Sequence, residues 1–146
     1  NMFKHILLPT DGSELSEAAV RNGIDFAKRL QAKVTGLCVV PKDYSSYYDA
    51  EYPGGVKERA EAQRKEKAKI YLSVITNVAQ NEGVACEVVM KMSDQPYEAI
   101  VEMAEQKGCD LIMMASHGRR GVGALLIGSE TQKVLTHSKI PVLVVR

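Results

Sequence analysis

The residues best suited to chemistry run from Ala115 to Thr131: Ala115-Ser116-His117-Gly118-Arg119-Arg120-Gly121-Val122-Gly123, then Ala124-Leu125-Leu126-Ile127-Gly128-Ser129-Glu130-Thr131. Glycines let a backbone approach a ligand closely and reach positive φ. Ser129 reads as a helix N-cap, and Gln132 three residues on completes a capping-box pattern. The open N–H groups of a helix start, with the helix dipole behind them, form an anion site. Arg119 and Arg120 add positive charge nearby. Phosphate binding is the chemistry this suits. The alternative, on spacing alone, is a plain loop followed by an ordinary capped helix. His117 has the chemistry of a general acid or base. No second His, Cys or paired carboxylate stands near it in sequence, so no catalytic residue is assigned. His5 and His137 lack metal partners at a recognisable spacing, so no metal site is assigned either. There is no G-x-x-x-x-G-K-S/T loop, and no G-x-G-x-x-G after the first apolar run. This argues against P-loop phosphoryl transfer and against a dinucleotide dehydrogenase.

The elements that must hold these residues alternate in type. Phe3 to Leu8 is a short apolar run ended by Pro9, the pattern of a buried strand. Ser13 to Gln31 is helical, with Leu15, Ala18, Ala19, Phe26, Ala27 and Leu30 expected on its inner face and Asp11 or Ser13 as N-cap. Val34 to Val40 is the second strand. Lys42 to Gly55 carries Tyr44, Tyr47, Tyr48 and Tyr52 before Pro53-Gly54-Gly55, and reads either as a lid or as a surface excursion packing its own tyrosines. Val56 to Glu82 is a long helix with mixed charge in its first half, a solvated face. Gly83 stops it. Ala85 to Lys91 is the third strand, and Pro96 opens a helix that ends at Gly108. Asp94 reads as that helix's cap and Asp110 as the start of the fourth strand, which runs to Ala115. A helix from about Glu130 to Thr136 and a strand from Pro141 to Val145 close the chain.

This βαβαβαβαβ order predicts a single-domain, open, doubly wound five-stranded parallel sheet, Rossmann-like, with both faces covered. The strands are continuous apolar runs, as strands buried on both sides require. In such sheets ligands sit outside the carboxyl ends of the strands, where the strand order reverses. The first strand ends in Pro9-Thr10-Asp11-Gly12-Ser13, the second in Val39-Val40-Pro41, and the fourth runs into Ala115 and the glycine loop.

Bulk properties narrow the partners. The 146 residues fit one core, and 45% hydrophobic with 25% charged residues is an ordinary globular balance. A net charge of +1 gives no global field for nucleic acid or an acidic membrane. No apolar run is long enough to span a bilayer, and no secretory signal pattern follows Met2. Cys38, Cys86 and Cys109 form no metal or redox spacing and read as small buried hydrophobes in a reducing cytosol. A cytoplasmic protein with no nucleic-acid or membrane partner is expected.

The chain resembles the universal stress protein family over its whole length, residues 2–146. The opening Ile6-Leu7-Leu8-Pro9-Thr10-Asp11-Gly12-Ser13 and the closing Ser138-Lys139-Ile140-Pro141-Val142-Leu143-Val144-Val145 carry the likeness. Nucleotide-binding members have G-x2-G-x9-G-S/T; Gly118 and Gly128-Ser129 fit it, and its first glycine falls on Ala115. An alanine there would crowd a ligand or forbid a positive φ. The resemblance implies that Pro9, Thr10 and Asp11 line the base and ribose, with Asp11 on a ribose hydroxyl or near a metal, and that Val39 meets adenine through its backbone. It places Ala115, Ser116, His117, Gly118, Arg119, Gly128, Ser129, Glu130 and Thr131 around ribose and phosphates. Met113 and Met114 precede the loop; one flanks the pocket, Met114 being chosen, or both fill the core. The cofactor implied is ATP or AMP, with Mg2+ beside ATP, and the assembly a homodimer through Pro141–Val145. The first functional reading is therefore an adenine-nucleotide-binding regulatory protein of the stress response. A slow ATPase is the second, and a nucleotide-independent interaction module the third. A phosphorelay receiver has a similar sheet but needs an acidic pair after the first strand, and only Asp11 stands there.

Overall fold

In the computed structural model, which describes residues 2–42, 55–118 and 127–146, the apolar runs become parallel strands and the periodic stretches helices. In chain order these are β1 (His5–Pro9), α1 (Glu14–Leu30), β2 (Lys33–Val40), α2 (Val56–Glu82), β3 (Cys86–Met92), α3 (Pro96–Gln106), β4 (Leu111–Ala115), α4 (Ser129–His137) and β5 (Val142–Val145). The five strands lie in the order β3-β2-β1-β4-β5, and every neighbouring pair is parallel. The fold is the α/β doubly wound sheet that the sequence predicts. From β1 the chain steps outward through β2 to β3, then crosses back to β4 and β5. The order therefore reverses between β1 and β4, and a crevice opens where their carboxyl ends part.

Side chains alternate across the strands and build a core on each face. Ile6, Leu8, Val34, Cys38, Leu111 and Met113 meet α1 and α2. Leu7, Leu37, Ile112 and Met114 meet α3 and α4. The two adjacent methionines thus fill opposite layers. The edge strands depart from the expectation of burial on both sides. All four residues of β5 are only half-buried, and β3 has exposed positions as well, because each lacks a neighbour on one side.

Helix α1 also sits differently from expectation. Its buried residues are Ser16, Ala19, Val20, Gly23, Ile24 and Ala27, whereas Ala18 is exposed and Leu15, Phe26 and Leu30 are half-buried. The large side chain of Leu8 occupies the place where a Cβ on Gly23 would stand. Val20 and Ile24 fill the buried face with the small Ser16, Ala19, Gly23 and Ala27 around them, and the larger Leu15, Phe26 and Leu30 are left at its margins. Of the two expected N-caps, Ser13 takes the role, its side chain accepting from the Ser16 amide at 3.2 Å.

Candidate functional site

The crevice is framed by the turn after β1, the exit of β4 and the start of α4. After β1, the Thr10 amide donates to the Leu37 carbonyl at 2.8 Å, which ties the turn to β2. The buried Thr10 hydroxyl accepts from the Gly12 amide at 3.1 Å and meets the Ser16 hydroxyl at 3.2 Å. Asp11 Oδ1 accepts from the Ser13 amide at 3.0 Å, a local Asx turn. Gly12 has φ +80°, and a Cβ there would stand in the Tyr71 ring of α2.

At the exit of β4, a Cβ built on Gly118 would overlap Asp11 Oδ2. The two expected halves of the site therefore touch. Ala115 closes β4 in extended backbone and is buried. Gln31 is the one non-glycine residue with positive φ among the described residues, so Ala115 meets no backbone penalty for its missing glycine. Its carbonyl accepts from the buried Thr131 hydroxyl at 2.9 Å. The Ser116 amide donates to Val145 at 2.8 Å, and the Ser116 carbonyl accepts from the Gly128 amide at 2.7 Å. The start of α4 is thus bolted to the end of β4.

The cap of α4 needs correction. Gly128, extended at φ −61° and ψ 154°, is the N-cap, and Ser129 is the first helical residue. Gln132 closes no capping box; its side-chain amide donates to the Ile127 carbonyl at 3.0 Å. Nor is positive φ the use of Gly118 and Gly128, since neither adopts it. Closeness is: a Cβ on Gly128 would lie 3.2 Å from the Ser116 carbonyl oxygen. The amides of Ser129, Glu130 and Thr131 form the first turn, where no intrahelical acceptor exists, and no described residue accepts from them. The Ser129 side chain is exposed beside them. Glu130 turns away. Its carboxylate accepts from the Tyr97 amide at 3.2 Å and lies 3.7 Å from Lys133.

His117 Nδ1 meets the Ser116 hydroxyl at 2.9 Å, and its Nε2 is buried without a partner among the described residues. Val39 is half-buried near the carboxyl end of β2, packed on the α3 side of the sheet. Pro9 and Asp11 are half-buried at the crevice, and Met114 lies in the core below it. Arg119 and Arg120 fall outside the described residues, as does Asp43–Gly54 with its tyrosines. Asp94 does not cap α3; its Oδ1 accepts from the Lys42 amide at 2.9 Å, while Gln95 is the N-cap.

Burial pushes the Cys38 thiol up to about 11, and the charge of Asp11 adds to it, so this cysteine is no nucleophile at neutral pH. All three cysteines are free thiols, with Cys86 only half-buried. Two cavities, of about 240 and 400 Å³, lie at the opposite pole, by the amino ends of β2 and β3. They share no residue with the crevice. No helix among the described residues is long and apolar enough to cross a membrane. Tyr71 is the crevice residue that sequence reasoning missed. Nothing in its spacing along α2 links it to a turn after β1.

The chain is thus an open, doubly wound α/β domain whose strand order reverses between β1 and β4, with Asp11 and Gly118 meeting at that switch point. The chain belongs to the universal stress protein family, whose model matches residues 2–146. It is similar to universal stress protein MJ0531 of Methanocaldococcus jannaschii, 34% identical over 146 residues, covering 100% of this chain and 84% of that relative. Among solved structures it is similar to hypothetical protein MJ0577, at 31% identity and TM-score 0.82, covering 99% of this chain and 96% of that one. Universal stress protein UspA from Lactobacillus plantarum aligns at 25% identity and TM-score 0.85, covering 100% and 99%. Two more distant structures, at 21% and 18% identity, share the fold and are universal stress proteins in complex with cAMP and, from Archaeoglobus fulgidus, dAMP.

Proposed function

We propose that this chain binds an adenine nucleotide, ATP or AMP, across the carboxyl ends of β1 and β4, and acts as a homodimeric cytoplasmic regulator in the stress response. One observation carries the reading: Asp11 and Gly118 meet at the switch point, beside a helix start whose first amides face no described acceptor. The residues fit such a ligand. Gly128 keeps a Cβ from the approach to the first turn of α4, and the Ser129–Thr131 amides and the Ser129 hydroxyl suit phosphate oxygens. With the anionic end there, the uncharged end extends toward Pro9, Thr10, Asp11 and the Val39 backbone. Asp11 then accepts from a ribose hydroxyl or faces the Mg2+ that accompanies ATP. Ala115, Ser116, His117 and Gly118 flank the middle. Relatives solved with cAMP and dAMP support the class of ligand, and free thiols suit a reducing compartment.

Support for the homodimer comes from β5. Ile112 donates to Pro141 and Ser116 to Val145, so the intervening Val142 and Val144 turn their backbone groups to the open edge. An apolar edge of this kind is suited to pairing with a second copy.

The direct test is to release by heat whatever accompanies the purified protein, identify it by mass, and titrate the emptied protein with ATP and AMP by calorimetry. Saturable binding of either is expected. An emptied, folded protein that binds no adenine nucleotide at millimolar concentration overturns the reading.

A further inference from the structure

We infer that α2 positions the turn that receives the uncharged end of the ligand, through Tyr71 and Arg64. The inference rests on the nucleotide reading above. Arg64 and Tyr71 are seven residues apart and share one face of the helix, with the buried Ala68 between them. Arg64 Nε donates to the Pro41 carbonyl at 3.2 Å, holding the chain where it leaves β2. The Tyr71 ring fills the space that any side chain at Gly12 would need, holding the turn that carries Asp11. One turn further on, Ile75 Cδ1 would lie 2.7 Å from a Cβ on Gly36 of β2. A single helix therefore grips the exits of both β1 and β2. Residues that hold these exits act on the ligand parts lodged there. Phosphates go to the α4 amides, so Tyr71 and Arg64, through the turns they hold, act on base and ribose as positioning residues that need touch no ligand.

The test compares adenosine, AMP and ATP by calorimetry on the parent, Tyr71→Ala, Tyr71→Phe, Arg64→Ala and Ser129→Glu. Tyr71→Ala should weaken all three ligands by one common factor, about fivefold or more, and Tyr71→Phe should restore them to within about twofold. Ser129→Glu should spare adenosine and weaken ATP by about tenfold or more. A general loss of structure would not divide the ligand in this way. If Tyr71→Ala leaves all three unchanged, or its effect grows with the number of phosphates, the positioning role is overturned while the nucleotide site stands. Should Tyr71→Ala show no cooperative unfolding, Arg64→Ala decides: uniform weakening supports the role, and unchanged binding overturns it. A parent that binds none of the three removes the nucleotide reading and this inference together.

Discussion

At Gly128 a side chain would lie 3.2 Å from the Ser116 carbonyl oxygen and 3.4 Å from His117 Cα. Backbone atoms cannot rotate aside, so a β-branched residue must push the first turn of α4 off the end of β4. Gly128→Val should weaken nucleotide binding at least tenfold, roughly 1.4 kcal/mol, with a retained circular-dichroism spectrum. Calorimetric affinity equal to the parent's would place the phosphates elsewhere. Sequence pattern singled out Gly118 and Gly128 for close approach and for positive φ; neither adopts positive φ, and what their surroundings show is close approach to Asp11 and to the Ser116 carbonyl. The Ser129 cap was misjudged for a related reason. Serine is the commoner cap by type, but here the Gly128 amide is taken by the Ser116 carbonyl, and that bond sets where the helix begins.

Among the elements, α3 and α4 share a device that no local pattern reveals. Gln95 caps α3 without a side-chain hydrogen bond, and Glu130 supplies the acceptor from the neighbouring helix by bonding the Tyr97 amide at 3.2 Å. Lys133 lies over the same tyrosine ring, 5.5 Å from its centroid. Glu130→Ala should cost about 1 kcal/mol in urea unfolding, with Glu130→Gln recovering part of it. An unchanged midpoint in the alanine variant would mean that the tie contributes nothing. Strand and helix types were legible throughout, and Val56–Glu82 was legible to the residue. The orientation of α1 was not, since Gly23 faces the sheet where Leu8 leaves no room for a side chain, and a steric requirement set by another element is not written in the helix's own sequence.

For the molecule as a whole, a parallel sheet with both faces covered follows from alternation, but the strand order and the edge that pairs with a second copy do not. Val144→Pro removes an outward amide while sparing the bonds to β4. It should turn the proposed dimer into a monomer in sedimentation; a parent that sediments as a monomer refutes the assembly. At the opposite pole, His5 is buried, with Nε2 2.6 Å from the Thr35 hydroxyl. Burial lowers its pKa below 6.5, Lys33 lowers it further, and Glu87 and Asp110 only partly oppose them. The unfolded chain then takes up a proton near 6.5 that the folded chain refuses. Stability should be full above that pH and decline as pH falls below it. Urea midpoints at about pH 7.5 and 5.5 should differ in the parent and converge in His5→Gln; parallel curves would clear His5 of the effect.

One feature of this layout bears on how the protein comes into being. β1 lies in the middle of the sheet, and the amides of Lys4 and His5 are held by Asp110, 106 and 105 residues further along the chain. A nascent chain that has made only β1, β2 and β3 owns half a crevice and no helix start to receive an anion. On the proposed reading, competence to hold an anion arrives only once β4 and α4 have been made, so a fragment that stops before them should be silent rather than weakly active.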